Sequence, residues 1–106
     1  MKVEKISKAI SDKNRIKILN YLIKGSQNVS TISDKIDIEE NLASHHLRIL
    51  SNLNIIKGTK RGREVIYTIN RSKLISLVKD LLKNEYILDL VQEVIAEKKK
   101  SIKNRN

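Results

Sequence analysis

Glu39-Glu40-Asn41-Leu42-Ala43-Ser44-His45-His46-Leu47-Arg48-Ile49-Leu50-Ser51-Asn52-Leu53 is the stretch that decides the fold. Set at about 100° per residue, it divides into two sides. Leu42, Ala43, His46, Leu47, Ile49, Leu50 and Leu53 fall on one broad apolar side; Asn41, Ser44, His45, Arg48 and Asn52 form a narrow polar stripe opposite. The spacing predicts a helix over residues 39–53 with its apolar side on a core. The outer stripe offers Ser, Asn and Arg, whose donors and acceptors suit base edges; an ordinary solvated face more often alternates Glu and Lys. Adjacent helical residues point about 100° apart, so His45 and His46 do not chelate one ion together. His46 reads as a packed core histidine, whereas His45 fits a nucleic-acid contact and idle exposure equally well.

Upstream, Val3, Ile6 and Ile10 recur at helical spacing, and Ser11-Asp12 reads as a break and an N-cap. Ile16, Leu19, Leu22 and Ile23 define a second helix over residues 13–24, with Gly25 where a left-handed C-cap would sit. Gln27 to Val29 is a short connector. Ser30 is placed to cap a third helix through Ile36, whose inner side carries Ile32 and Ile36. Downstream, Ile55–Thr59 and the alternating Val65, Tyr67 and Ile69 form a hairpin with one buried face. Its tip is Lys60-Arg61-Gly62-Arg63, and with Lys57 this ribbon carries four cations before its first acid, Glu64. A cationic, glycine-flexible tip is suited to phosphate.

From about Arg71 to Lys98 the pattern is helical. Leu74, Leu81, Leu88 and Ile95 recur every seven residues, with Leu77 and Val91 at intervening positions and Asn84 in the remaining one, where it kinks the helix or fixes its register. Ile75, Val78, Leu82, Ile87, Leu90 and Val94 widen the stripe beyond what one small domain buries, and an identical second chain is the expected cover. A length of 106 residues allows one substantial core. Residues 1–97 are therefore expected to form a single domain, and residues 98–106 a basic, disordered tail.

A net charge of +10 fits either plain solubility or a polyanionic partner, nucleic acid or an acidic membrane surface, and composition alone does not choose between them. No apolar run approaches the roughly 18 residues of a membrane span, and Met1-Lys2-Val3-Glu4 opens no signal-peptide core, so the cytoplasm is the expected address. With no cysteine in the chain, thiolate metal sites, disulfides and cysteine nucleophiles are excluded. Two histidines leave little for an imidazole site, and no acid–base cluster or phosphate-binding glycine loop is present. No metal, cofactor or enzymatic activity is expected.

Three helices, a hairpin wing and a terminal helix give a mainly α fold with a small β-hairpin, a winged helix-turn-helix with a long C-terminal dimerisation helix. Ser44-His45-His46-Leu47-Arg48-Ile49-Leu50 resembles the S-x-H-L-x-x-L signature of the ArsR/SmtB repressors. Ile10-Ser11-Asp12-Lys13-Asn14-Arg15-Ile16-Lys17-Ile18-Leu19 resembles that family's L-S-D-P-T-R-L-x-I-L opening, and Arg61-Gly62-Arg63-Glu64-Val65-Ile66-Tyr67 resembles its wing through the G-R-x-x-x-Y portion. The match runs over roughly residues 3–70, in order.

The resemblance implies a homodimeric, sequence-specific regulator of transcription, a repressor, with double-stranded DNA as partner. The third and fourth helices would form the helix-turn-helix, the fourth lying in the major groove. Asn41, Ser44 and His45 would approach base edges or phosphates, and Arg48 the backbone or a guanine. Ser30 and Thr31 would meet phosphate at a helix N-terminus; Lys60, Arg61 and Arg63 of the wing would track phosphate or dip into the minor groove, with Lys57 a further cation of the DNA-binding set. Pairing through the first and last helices would use Ile6, Ile10, Leu74, Leu77, Leu81, Leu88, Val91 and Ile95.

The departures matter equally. The third helix, Val29 to Ile36, has no thiol and the last helix no histidine, so thiol or imidazole metal sensing is not expected; an effector ligand or partner protein is left open. Lys13 replaces proline at a first helical position, and Asn54 replaces glycine after the fourth helix, where asparagine tolerates the left-handed conformation. Glu39 and Glu40 suit the helix dipole but stand where phosphates would approach. They keep alive a second reading, a winged-helix protein-interaction module that does not bind DNA.

Overall fold

The computed structural model describes the backbone of residues 3–103 and the side chains of residues 7–100. Helix α1 (Val3–Ile10) leads into α2 (Lys13–Ile23), β1 (Gln27–Asn28), α3 (Val29–Ile36) and α4 (Glu40–Asn52). The hairpin β2 (Ile56–Arg61) and β3 (Glu64–Ile69) follows, and then α5 (Arg71–Lys83) and α6 (Glu85–Lys103). The sheet is antiparallel, with strand order β1-β3-β2.

Each junction has a local cause. Asp12 caps α2 by accepting from the amides of Asn14 and Arg15 at 2.8 and 3.2 Å. The α3 cap is Asn28, whose Oδ1 accepts from the Thr31 amide at 2.8 Å, so the expected cap Ser30 lies inside the first turn instead. Asparagine is as good a cap as serine, and pairing of Asn28 with Ile66 in the sheet fixes which of the two is used. Asp37 (φ 58°) ends α3 left-handed and Asn54 (φ 60°) does so after α4, the latter as the sequence predicts. Gly25 does not adopt that conformation; α2 closes through short bonds from Lys24 N–H to the Tyr21 carbonyl and from Gly25 N–H to the Leu22 carbonyl.

The core gathers Ile18, Leu19 and Leu22 of α2, Ile32 of α3, Leu47 and Leu50 of α4, Ile55, Ile56 and Ile69 at the base of the hairpin, and Leu77 and Leu81 of α5. Ile18, Ile32, Leu47, Leu50 and Ile55 are fully buried. Leu42, placed inward by periodicity, is instead exposed in the first turn of α4.

The terminal helix is broken. Asn84 takes an extended conformation (ψ 117°), and its Oδ1 accepts from the Ile87 amide at 3.1 Å, so it ends α5 and caps α6. The heptad stripe is therefore not continuous. Leu77 and Leu81, expected at a dimer interface, lie in the chain's own core, with Leu74 and Ile87 packed against it. Leu88, Val91 and Ile95 are exposed on α6, and Ile10 packs against the core; the Ile6 side chain lies outside the described residues. The segment expected as a disordered tail continues α6 through Lys103, since Ala, Glu and Lys are strong helix formers and lysines favour a helix C-terminus. The remainder of that tail, residues 104–106, lies outside the described residues.

Candidate nucleic-acid interface

Helix α4 presents Asn41, His45, Arg48 and Asn52 as exposed side chains, with Ser44 half-buried among them. The opposite side is anchored by buried Ala43, His46, Leu47 and Leu50. Glu39 caps α4 by backbone only, its carboxylate making no capping hydrogen bond, and Glu40 occupies the first turn; both are exposed. Ser30 (exposed) and Thr31 (half-buried) sit in the first turn of α3.

Beneath that surface His46 is locked. Arg15 donates from Nε to His46 Nδ1 at 3.1 Å, so the ring carries its proton on Nε2, which faces Asp12 Oδ1 at 3.9 Å. The same guanidinium donates to the Ala9 carbonyl at 3.1 Å and to that of Lys8 at 3.5 Å, tying the end of α1 to α2 and α4. Burial holds the His46 pKa below its ordinary 6.5; Asp12 pulls upward, but the charges of Arg15 and His45 add to the depression. For Asp12, burial pushes the pKa up, yet the amide bonds from Arg15 and Asn14 and the nearby His46 and Arg15 charges outweigh it, leaving the carboxyl below 3.8. The packed core histidine expected from the sequence is thus a hydrogen-bonded junction. The Arg15 and Asp12 partners were missed because nothing in spacing pairs residues 15 and 46.

The wing is shaped by its pleat. Register pairs Arg61 with Glu64, Thr59 with Ile66, Lys57 with Thr68 and Ile56 with Ile69. Since side chains alternate across a strand, Lys57, Thr59, Arg61, Glu64, Ile66 and Thr68 share one face. Ile56, Gly58, Lys60, Val65, Tyr67 and Ile69 share the other. The buried face expected from Val65, Tyr67 and Ile69 holds only at the base: Ile69 is buried, Tyr67 half-buried and Val65 exposed. Gly58 has a steric role, because a Cβ there would lie 2.9 Å from Val65 Cγ1 and 3.1 Å from Tyr67 Cε1. The two strands join through Gly62-Arg63, with Gly62 at φ 62°, the glycine-first pattern of a II′ hairpin.

Lys57, Lys60, Arg61 and Arg63 are all exposed, and none is in an ion pair among the described residues. The body reaches the wing through β1. Ser26 and Thr68 share a 2.8 Å hydroxyl hydrogen bond, and Asn28 Nδ2 donates to Glu64 Oε1 at 2.9 Å. Sequence reasoning missed Asn28; its position directly before apolar Val29 was the available signal.

A helix-turn-helix made by α3 and α4, flanked by a twisted two-stranded ribbon, defines a winged helix-turn-helix protein. Residues 12–57 match the model of the bacterial regulatory protein, arsR family. The cadmium resistance transcriptional regulatory protein CadC homolog of Staphylococcus aureus is 39% identical over 79 residues, 74% of this chain and 65% of the relative. The transcriptional repressor SdpR of Bacillus subtilis is 35% identical over 69 residues, 65% of this chain and 77% of the relative. Among solved structures, the homodimeric winged helix-turn-helix DNA-binding domain Mb0332 from Mycobacterium bovis superposes with a TM-score of 0.65 at 23% identity, covering 90% of this chain and 79% of that one. The chain belongs to the ArsR family of bacterial regulatory proteins. It spans about two thirds of the length of the staphylococcal relative. Among the described residues no helix is long and apolar enough to cross a membrane.

Proposed function

We propose that this chain is a cytoplasmic, homodimeric transcriptional repressor that binds a pseudo-palindromic duplex with half-sites about one helical turn apart. One observation carries the reading: α4, with its polar face exposed, packs against β2 of a wing whose four cations are exposed and free of ion pairs among the described residues. Asn41, Ser44, His45 and Arg48 would read the major groove, with Ser30 and Thr31 on phosphate and Lys57, Lys60, Arg61 and Arg63 on the flanking backbone. The name of the CadC homolog supports transcriptional regulation, that of SdpR repression, and that of the Mb0332 domain DNA binding and pairing. Pairing would use the exposed Leu88, Val91 and Ile95 of α6, with Ile6 and Ile10 of α1. Any effector binds without thiolate ligands, because the chain has no cysteine.

The test is titration of the protein against labelled random duplex across a salt series, followed by selection of bound duplexes from a random pool. A steep log–log salt slope and a recovered palindrome are expected. Absence of binding at low salt would refute the reading and favour the protein-interaction module, in which exposed Glu39 and Glu40 repel phosphate.

A further inference from the structure

The wing carries one acid, and its location is informative. Glu64 is the cross-strand partner of Arg61, on the same face of the hairpin. Opposite charges directly across an antiparallel pair attract, so the default neighbour of this carboxylate is the Arg61 guanidinium. The structure shows another arrangement: Glu64 Oε1 accepts from Asn28 Nδ2 at 2.9 Å, and Arg61 has no ion pair among the described residues. Asn28 uses its other end as well, since its Oδ1 caps α3 through the Thr31 amide at 2.8 Å. One side-chain amide therefore joins the start of the helix-turn-helix to the wing. The Ser26–Thr68 hydroxyl pair at 2.8 Å reinforces the join on the same sheet face.

We infer that Asn28 is a positioning residue for nucleic-acid binding: it draws the Glu64 carboxylate toward α3 and so keeps Arg61 unneutralised for a phosphate. This rests on the DNA-binding reading above. A cation already paired in the free protein releases no counterion when it meets DNA, so its contribution to the salt dependence disappears. Orientation follows from the same contact. β1 has two residues, and beyond it the outer wing is exposed, so among the described residues the Asn28–Glu64 bond is the last side-chain hydrogen bond between body and wing along that strand.

The test is a double-mutant cycle with Asn28→Ser and Glu64→Gln, read by fluorescence anisotropy on a labelled duplex over a salt series. Serine keeps the α3 cap and the net charge but is too short to reach Glu64. Asn28→Ser should lower the magnitude of the log–log slope by about 0.9 for each protomer engaged. Glu64→Gln should restore it in the Asn28→Ser background while changing it little alone. A merely structural role for Asn28 would not be rescued by removing the acid. Circular dichroism melts of each variant verify the fold. If wild-type protein binds no duplex at low salt, the DNA-binding reading falls and takes this inference with it. If wild type binds and Asn28→Ser keeps its full slope, or Glu64→Gln acts equally in both backgrounds, the inference alone is overturned.

Discussion

Arg63→Ala is the sharpest perturbation of the wing. Arg63 is the second residue of the two-residue turn, exposed and outside any ion pair among the described residues. Its removal therefore costs little folding stability, within about 0.5 kcal/mol, and deletes one whole positive charge at the tip. If each of two protomers places this arginine on a phosphate, the slope of log K against log salt loses about 1.8 in magnitude. Raising salt fourfold, from about 50 to 200 mM, then weakens the variant roughly tenfold less than it weakens wild type. Lys79→Ala supplies the comparison, because Lys79 is an equally exposed cation on α5 and its removal changes the net charge identically. Anisotropy titrations of both variants on one duplex measure the effect. An unchanged slope for Arg63→Ala would take this arginine off the phosphates, and an equal reduction for Lys79→Ala would show that total charge rather than the wing drives binding.

Other consequences concern stability. The depressed pKa of His46 means that the unfolded chain takes up a proton the native chain resists; stability is therefore full above about 6.5 and falls as pH drops from there toward the native value. His46→Gln should flatten that limb in urea denaturation, and a persistent limb would remove His46 as its cause. Leu81→Ala should lose about 2–5 kcal/mol by thermal or urea unfolding, as expected of a core leucine, whereas Val91→Glu should leave the monomer folded and abolish pairing in sedimentation. A normal melt for Leu81→Ala would contradict its place in the core. Asn54→Ala should cost about 1 kcal/mol because of its left-handed backbone, and Asn54→Gly should cost almost nothing; equal melts would contradict the φ of 60°.

What could be read from the chain follows the range of the forces involved. The α4 register was legible because its core side repeats at helical spacing, and Asn54 was legible because its conformation restricts residue type. The wing was legible from alternation and from glycine between cations. Asn28 was harder: residues 28 and 30 both hold good caps, and only pairing with β3 decides between them. The Arg15–His46 and Asn28–Glu64 bonds join residues 31 and 36 positions apart, and no local periodicity encodes such partners. The C-terminal heptads misled for a related reason. Leu77 and Leu81 satisfy a pairing stripe and an intrachain core equally well, and the turn at Asn84 assigns them to the core.

That turn makes α6 a lever. Its 19 residues measure about 28 Å end to end, and the described residues extend 51 Å along their longest axis. A swing of about 10° at the elbow carries the far end of such a rod roughly 5 Å, more than the ~3.4 Å rise between neighbouring base pairs. If the proposed pairing runs through α6, the spacer length tolerated between half-sites becomes a ruler for the bend at one asparagine, and a helix-forming residue in its place would reset it.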